Sequence, residues 1–452
     1  MTRGKQVLLF LLLLVHLGSL GRAQFPVDGW AWNGVFNAAG MMDSNFQYMW
    51  YAGGNAAQTG IACDTDGHTG LYVSAAGPPE QYNYDPLNTT TPLQGVGLLS
   101  TWADFAGPLE TTRDWVYFVD TRNGNVNRCR KSVPAQTGIL LTNPGQHGIT
   151  SSICSIVSNG RELFFTTIVS ATSSYHLYAI DVQSSGHAIR PVAAFPVGSS
   201  PRWGPALALG PEGDLLAMDD PWMYRINAVS GTVSTLFAKP VDPAFTNTTY
   251  QFWPILMAYN PWTDEVVVSP KDQTYHLFGP PMVLYVRSVA GSAISSWQLA
   301  FAFNLGAHAL TSLAIRPFEL FGSGCANGTG RDPRLGWQGL PQQGQAFSIT
   351  LRDAEPNGFA FFWLGLSDTY WTGFGALPFD AGPLGAPGCV LRVAADVPFP
   401  VPVDGNGQAV LQESVPINPA LRGLQVFAQS VSSSTANAFG FAASDALVIR
   451  VR

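Results

Sequence analysis

The chain has 452 residues, 23 Lys and Arg against 30 Asp and Glu, a formal net charge of −7, and 12% charged residues, about half the usual share. So sparse and acidic a chain argues against nucleic acid or an anionic membrane as partner, because both are gripped by basic patches. The 47 Gly, 33 Pro and 12% aromatics suit many short strands joined by tight turns, and the length suits two domains.

Residues 1–23 read as a secretory signal peptide. Arg3 and Lys5 are followed by an apolar run from Val7 to Val15, then by Gly21-Arg22-Ala23 as a small-residue cleavage site before Gln24. The run meets polar and Gly residues too soon to span a bilayer, and no later stretch is long and apolar enough to do so. The expectation is a soluble protein that is secreted, periplasmic or held at the cell surface, with no lipid anchor since no Cys follows the cleavage site. Removing Arg3, Lys5 and Arg22 makes the remainder more acidic still.

Residues 24–320 carry a phrase that recurs in different words. Leu207-Ala-Leu-Gly-Pro-Glu-Gly213 before Leu215–Met218, Met257-Ala-Tyr-Asn-Pro261 before Glu265–Ser269, and Leu313-Ala-Ile-Arg-Pro317 each read as an apolar strand and a Pro or Gly turn. Ile61–Gly67 before Leu71–Ser74, and Cys154–Gly160 before Leu163–Thr166, fit the same frame. The spacing is that of four-stranded blades, and no sustained helical periodicity interrupts it, so the region is expected to be a β-propeller of five or six blades. Within one blade Trp115–Val119, Asn123-Gly124 and Val126–Lys131 spell a hairpin, since Asn-Gly favours the tight turn. The phrase at Leu313 lacks the rest of its blade. The segment from Gly29 to Tyr51 is the natural supplier of the missing strands, which would close the ring and hide the open edge.

Aligned phrases put Trp203 and Trp253 at the same offset, four residues before Leu207 and Met257, with Arg202 and Gln251 beside them. His147 and His308 begin the corresponding strands of two other blades. If the inner strands start at one rim, these six side chains form an aromatic and polar ring at the channel mouth. Such a ring suits sugars or small amphipathic ligands, because indole offers an apolar face and an N–H donor. The competing reading is that the indoles plug the channel as core.

Asp64-Thr-Asp-Gly67 supplies two carboxylates without the later ligands of a calcium loop, so it reads as a solvated turn, as do Asp219-Asp220 and Asp104. No Cys or His spacing suggests a metal, and no cofactor is implied. His residues are scattered singly and no Gly-x-Ser-x-Gly elbow occurs, so no catalytic residue is assigned. Asn88-Thr-Thr, Asn247-Thr-Thr and Asn327-Gly-Thr match a glycosylation pattern but read more simply as turns.

Near Phe321-Gly-Ser-Gly-Cys325 the texture changes. Lys disappears and short, Pro-bounded strands fill residues 321–452, which fits a C-terminal β-sandwich and an all-β chain throughout. Cys325 and Cys389 bracket this region and are expected to pair. Cys129 with Cys154 is a weaker pairing, and Cys63 is left as either a free thiol or a bridge.

The ordered set Phe321–Cys325, Trp363–Trp371, Leu377–Asp380, Leu384–Cys389, Pro416–Leu421 and Val426–Gln429 resembles an uncharacterised C-terminal module of secreted proteins from large-genome environmental bacteria. In that family the module often follows a propeller-like region and carries the two matching Cys positions, which implies export and this architecture and transfers no catalytic residue. Ala326-Asn-Gly328 departs from the family's usual Gly or Pro after the first Cys.

The function expected is extracellular or cell-surface binding, with carbohydrate or protein as partner and the propeller mouth as the place. A secreted propeller hydrolase or lyase acting on polysaccharide is the runner-up, and purely structural envelope material is the third class.

Overall fold

The computed structural model describes residues 106–120, 123–131, 133–141, 153–169, 174–183, 186–196, 205–219, 222–238, 253–271, 282–290, 296–303, 307–312 and 316–452, together with the backbones of the strands before residue 106. Two compact units divide the described chain, one lying within residues 27–315 and the other spanning 316–452.

The first unit is a β-propeller. Among the described residues it holds six four-stranded antiparallel sheets. Their innermost strands neighbour one another in sequence order, Gly60–Cys63, Ala106–Thr111, Ile153–Ser158, Ala206–Leu209, Trp253–Asn260 and Ala307–Ser312, and the last returns to the first. Such strands converge on an axis, where space is short, and Gly, Ala, Ser, Thr and Cys recur along them accordingly. The sheet that closes the ring is composite: Ala307–Ser312 pairs with Gly29–Gly34, which continues into Ala38–Asp43 and Tyr48–Gly53. The segment from Gly29 to Tyr51 thus completes the last sheet, and pairing of chain-distant strands removes the open edge.

Strand alternation explains how the sheets adhere. Successive side chains of a strand point to opposite faces, so a strand between two neighbouring sheets serves both. Leu163 and Phe165 join Tyr117, Val119 and Val126 of the preceding sheet, whereas Phe164 joins Leu215, Ala217 and Tyr224 of the following one. Leu216 and Met218 then face Met257, Val266 and Val268. The core is therefore divided into successive layers between blades. At the Asn123-Gly124 hairpin Gly124 takes φ 74°, and the Asn123 carboxamide donates to Asp120 at 2.8 Å and accepts from the Asn125 amide at 2.8 Å.

The second unit has two main antiparallel sheets. A five-stranded one runs Phe318–Phe321, Phe441–Arg450, Gln425–Ser433, Phe359–Gly365, Val397–Pro402 in lateral order, and a three-stranded one runs Arg334–Gly339, Ala346–Arg352, Ala409–Ser414. Their inner faces share one apolar cluster that includes Phe318, Leu335, Phe347, Ile349, Phe362, Leu411 and Leu447. Cys325 and Cys389 form a disulfide with Cα atoms 4.9 Å apart, within the range the bond allows. An Arg450–Glu319 ion pair at 2.9 Å is buried on both sides.

Several local expectations change. Phe318–Phe321 pairs with Phe441–Arg450, so the second unit starts ahead of the Gly-rich turn at which the sequence texture shifts. The strand near the phrase at Leu313 is Ala307–Ser312, and residues 313–315 lie outside the described ones. Cys129 and Cys154 do not form a disulfide with each other, and the Cys63 side chain lies outside the description. Asn327 is buried, with its carboxamide oxygen accepting from Thr329 and Arg331 and its nitrogen donating to the Asp353 carbonyl at 2.7 Å, which is the role of a turn residue. Asn88, Asn247, Asp64, Asp66 and Asp104 lie outside the described side chains.

Candidate functional site

A propeller has two ends, and its described polar residues treat them differently. At the end where first and second strands turn into one another, arginines are spent on carboxylates of their own blade and on carbonyls of the next. Asn159 accepts from the amides of Arg161 and Glu162, which shapes the turn that aims Arg161 at Asp181 at 3.1 Å. Arg190 grips Glu162 through two nitrogens, at 2.9 and 3.0 Å, and reaches the Ala228 carbonyl of the next blade at 2.8 Å. Arg128 crosses to the Val182 carbonyl at 3.0 Å while its guanidinium lies 4.5 Å from the Trp115 ring centroid. Arg225 pairs with Asp214 at 2.6 Å, and burial, partly offset by that arginine, raises the Asp214 carboxyl. Planar guanidinium suits such bridges, because its fork satisfies carboxylates and carbonyls together.

At the opposite end the innermost strands begin. Antiparallel pairing brings the start of a first strand, the end of a second and the start of a third to one place. There Cys154 lies near the start of Ile153–Ser158, Tyr175 near the start of Ser174–Asp181, and Asp219 ends Leu215–Asp219. Asp219 is buried, and it faces two phenols. Burial first, then the charges of Asp219 and Cys154, hold the Tyr175 hydroxyl far above its ordinary range, and burial and Asp219 raise that of Tyr224. The Tyr175 oxygen is itself fully buried and lies beside the carboxylate without a well-formed hydrogen bond. Trp222, the register partner of Asp219, is 42% exposed at the same end.

Reading Asp219 as solvated surface is therefore corrected. The strand runs one residue beyond Met218, and pairing with Trp222 draws the carboxylate in between two blades. A clue existed in the apolar run Leu215–Met218, but burial of its next residue depends on tyrosines about forty residues away and five residues on.

Of the six residues chosen from the aligned phrases, Trp253 opens the innermost strand Trp253–Asn260 and His308 is the second residue of Ala307–Ser312, on the neighbouring sheet of the ring. Their side chains, and the whole of His147, Arg202, Trp203 and Gln251, lie outside the described residues. Among the described residues no group of three or more His, Cys, Asp or Glu side chains could hold a metal ion, and no helix is long and apolar enough to cross a membrane.

No protein-family model and no curated protein matches the chain. Solved structures similar to it include a chain of a nidogen–laminin complex, 10% identical over 64% of this chain and 99% of that one, with a TM-score of 0.46. A Bacteroides fragilis protein assigned provisionally as a 6-phosphogluconolactonase is 9% identical over 65% of this chain and 99% of that one, with a TM-score of 0.43. A periplasmic gluconolactonase of Pseudomonas aeruginosa is 12% identical over 72% and 92%, with a TM-score of 0.38.

Proposed function

We propose that this is an exported binding protein whose propeller takes a small polar ligand, carbohydrate in first place, at the end where the innermost strands begin. Trp203, Trp253, Arg202, Gln251, His147 and His308 are the residues proposed to meet the ligand. The observation that carries the reading is the contrast between the two ends: described arginines at one end are engaged by carboxylates of their own blade and by carbonyls of the next, whereas the other gathers Asp219, Tyr175, Cys154 and the exposed Trp222. The Trp253 and His308 positions lie on adjacent inner strands beginning at that same end. Indoles supply stacking faces there, and a carboxylate supplies an acceptor for ligand hydroxyls. The apolar run before Gln24 and the resemblance of residues 321–452 to modules of secreted bacterial proteins support export.

The test is calorimetric titration of the full chain with a panel of neutral oligosaccharides, repeated on the Trp203→Ala/Trp253→Ala double variant. Binding by the parent and at least tenfold weaker binding by a variant with unchanged circular dichroism is the expected result. Equal binding by both proteins removes the mouth from the reading, and turnover of the oligosaccharides moves the protein to the hydrolase or lyase class.

A further inference from the structure

The second unit carries a row of aromatic rings of which Trp363, Trp371 and Phe379 lean with one side on the buried cluster around the Cys325–Cys389 disulfide, while Phe359 and Phe374 stand exposed. Strand Phe359–Gly365 buries Ala360, Phe362 and Leu364 and turns Phe359, Phe361 and Trp363 outward. Beyond Trp363 the rings continue: Trp363 to Trp371 at 5.6 Å between centroids, Trp371 stacked on Phe374 at 4.6 Å, and Phe374 edge-on to Phe379 at 5.0 Å. At the other end Phe359 meets Phe361 at 5.5 Å. Phe359 is 54% exposed and Phe374 50%. An exposed aromatic track of this kind is uncommon on a surface that water alone covers.

The strand beside it narrows what can lie there. Val397–Pro402 is the edge of its sheet and presents Pro398, Pro400 and Pro402 opposite Trp363, Phe361 and Phe359. Val403, in the same alternation as Val397, Phe399 and Val401, donates its amide inward to the Gly358 carbonyl at 3.0 Å. The prolines therefore occupy the positions whose amides would point away from the sheet, and they have none to offer. A peptide cannot extend the sheet along this edge.

Charge narrows it again. Between residues 359 and 402 the ionisable side chains of full charge are Asp368, Asp380, Asp396 and Arg392, three acids to one base. The Arg392 guanidinium is drawn inward, where burial lowers it and Asp445 faces it. Nucleic acid, anionic polysaccharide and anionic lipid are all disfavoured on such ground. What fits is an uncharged partner with apolar ring faces and hydroxyl rims.

We propose that the track from Phe359 to Phe379 is a binding surface for uncharged polysaccharide. Sugar rings lay their C–H faces on the aromatic rings, and hydroxyls at their edges reach acceptors such as Asp368 and Asp380, which flank Trp371 and Phe374 in sequence. The rings stand largely on paired strands, so little ordering entropy opposes binding. This site is separate from the propeller mouth and does not rest on that reading.

Adsorption of the full chain to microcrystalline cellulose, chitin powder and an insoluble β-1,3-glucan tests it, with alginate gel as the anionic control. The parent is expected to adsorb to at least one uncharged polymer and not to alginate. Phe359→Ala/Phe374→Ala, both exposed and thus spared by the core, is expected to lower the adsorption constant at least tenfold with an unchanged melting profile. Trp203→Ala/Trp253→Ala is expected to adsorb like the parent, which separates this surface from the mouth. Adsorption to none of the uncharged polymers, or equal adsorption by the Phe359→Ala/Phe374→Ala variant, overturns the proposal. So does a dimer in sedimentation that this variant dissociates, because the track would then belong to a second copy, and so does partition into phosphatidylcholine vesicles that this variant abolishes.

Discussion

The two units reach stability by different distributions of the same material. In the propeller, apolar side chains are dealt out into layers between neighbouring sheets, each strand contributing odd residues to one layer and even residues to the next. In the second unit the inner faces of the two main sheets meet in one shared cluster, and a disulfide that closes a 64-residue separation lies in a smaller cluster beside it, with Ala381, Leu391 and Val431. Damage to a layer is confined to one seam, while damage to the shared core reaches every strand of the two main sheets.

The largest effect should come from Phe362→Ala. Its ring is fully buried in the shared cluster, and truncation of such a residue costs about 3–5 kcal/mol. Thermal unfolding followed by calorimetry should show the transition of residues 316–452 shifted or lost, with that of the propeller retained. Phe164→Ala removes an equally buried ring from one seam. Hydrogen exchange should then rise in strands 153–196 and 206–238 and stay near parent values in the other blades. Faster exchange throughout the propeller would break the contrast between seam and shared core.

Reduction of Cys325–Cys389 comes next. Freeing a loop of this length restores entropy to the unfolded chain worth about 2–4 kcal/mol, to be read as a lower denaturant midpoint for the second unit alone. The buried Cys129 thiol offers the counterpart in the propeller. Burial pushes it up to about 11 from an ordinary 9.0. Above pH 9 the unfolded thiol loses its proton while the folded one keeps it, so the unfolded state binds fewer protons and stability falls as pH rises through this window, by about 2–3 kcal/mol at its upper end. Cys129→Ser should abolish that portion of the alkaline decline in chemical denaturation, and Cys129 should resist a thiol reagent in the native protein longer than the half-buried Cys154.

A smaller effect is expected at Gly231, where the turn takes φ +72° and a Cβ would collide with the Val192 carbonyl of the preceding blade. Gly231→Ala should cost about 1–2 kcal/mol through strain and lost seam contact. An unchanged propeller midpoint would show that this seam can yield at no cost.

The sequence by itself determined the strand-rich, helix-poor architecture, because period-two patterning and turn chemistry act over a few residues. Asn123-Gly124 placed a hairpin, Leu207–Gly213 and Met257–Pro261 placed first strands and their turns, and the Gly-rich change at Phe321 marked the approach of a second unit. Closure through Gly29–Gly34 was legible too, since an unpaired edge requires a partner and the Leu313 region lacked its own. Only the tertiary structure decided that Asp219 is buried between Tyr175 and Tyr224, that Cys129 and Cys154 stay apart, and that alternate residues of Phe359–Gly365 face outward beside a proline edge. The physical reason is common to all three: strand pattern says which residues share a face, whereas what covers that face depends on chain segments tens of residues away.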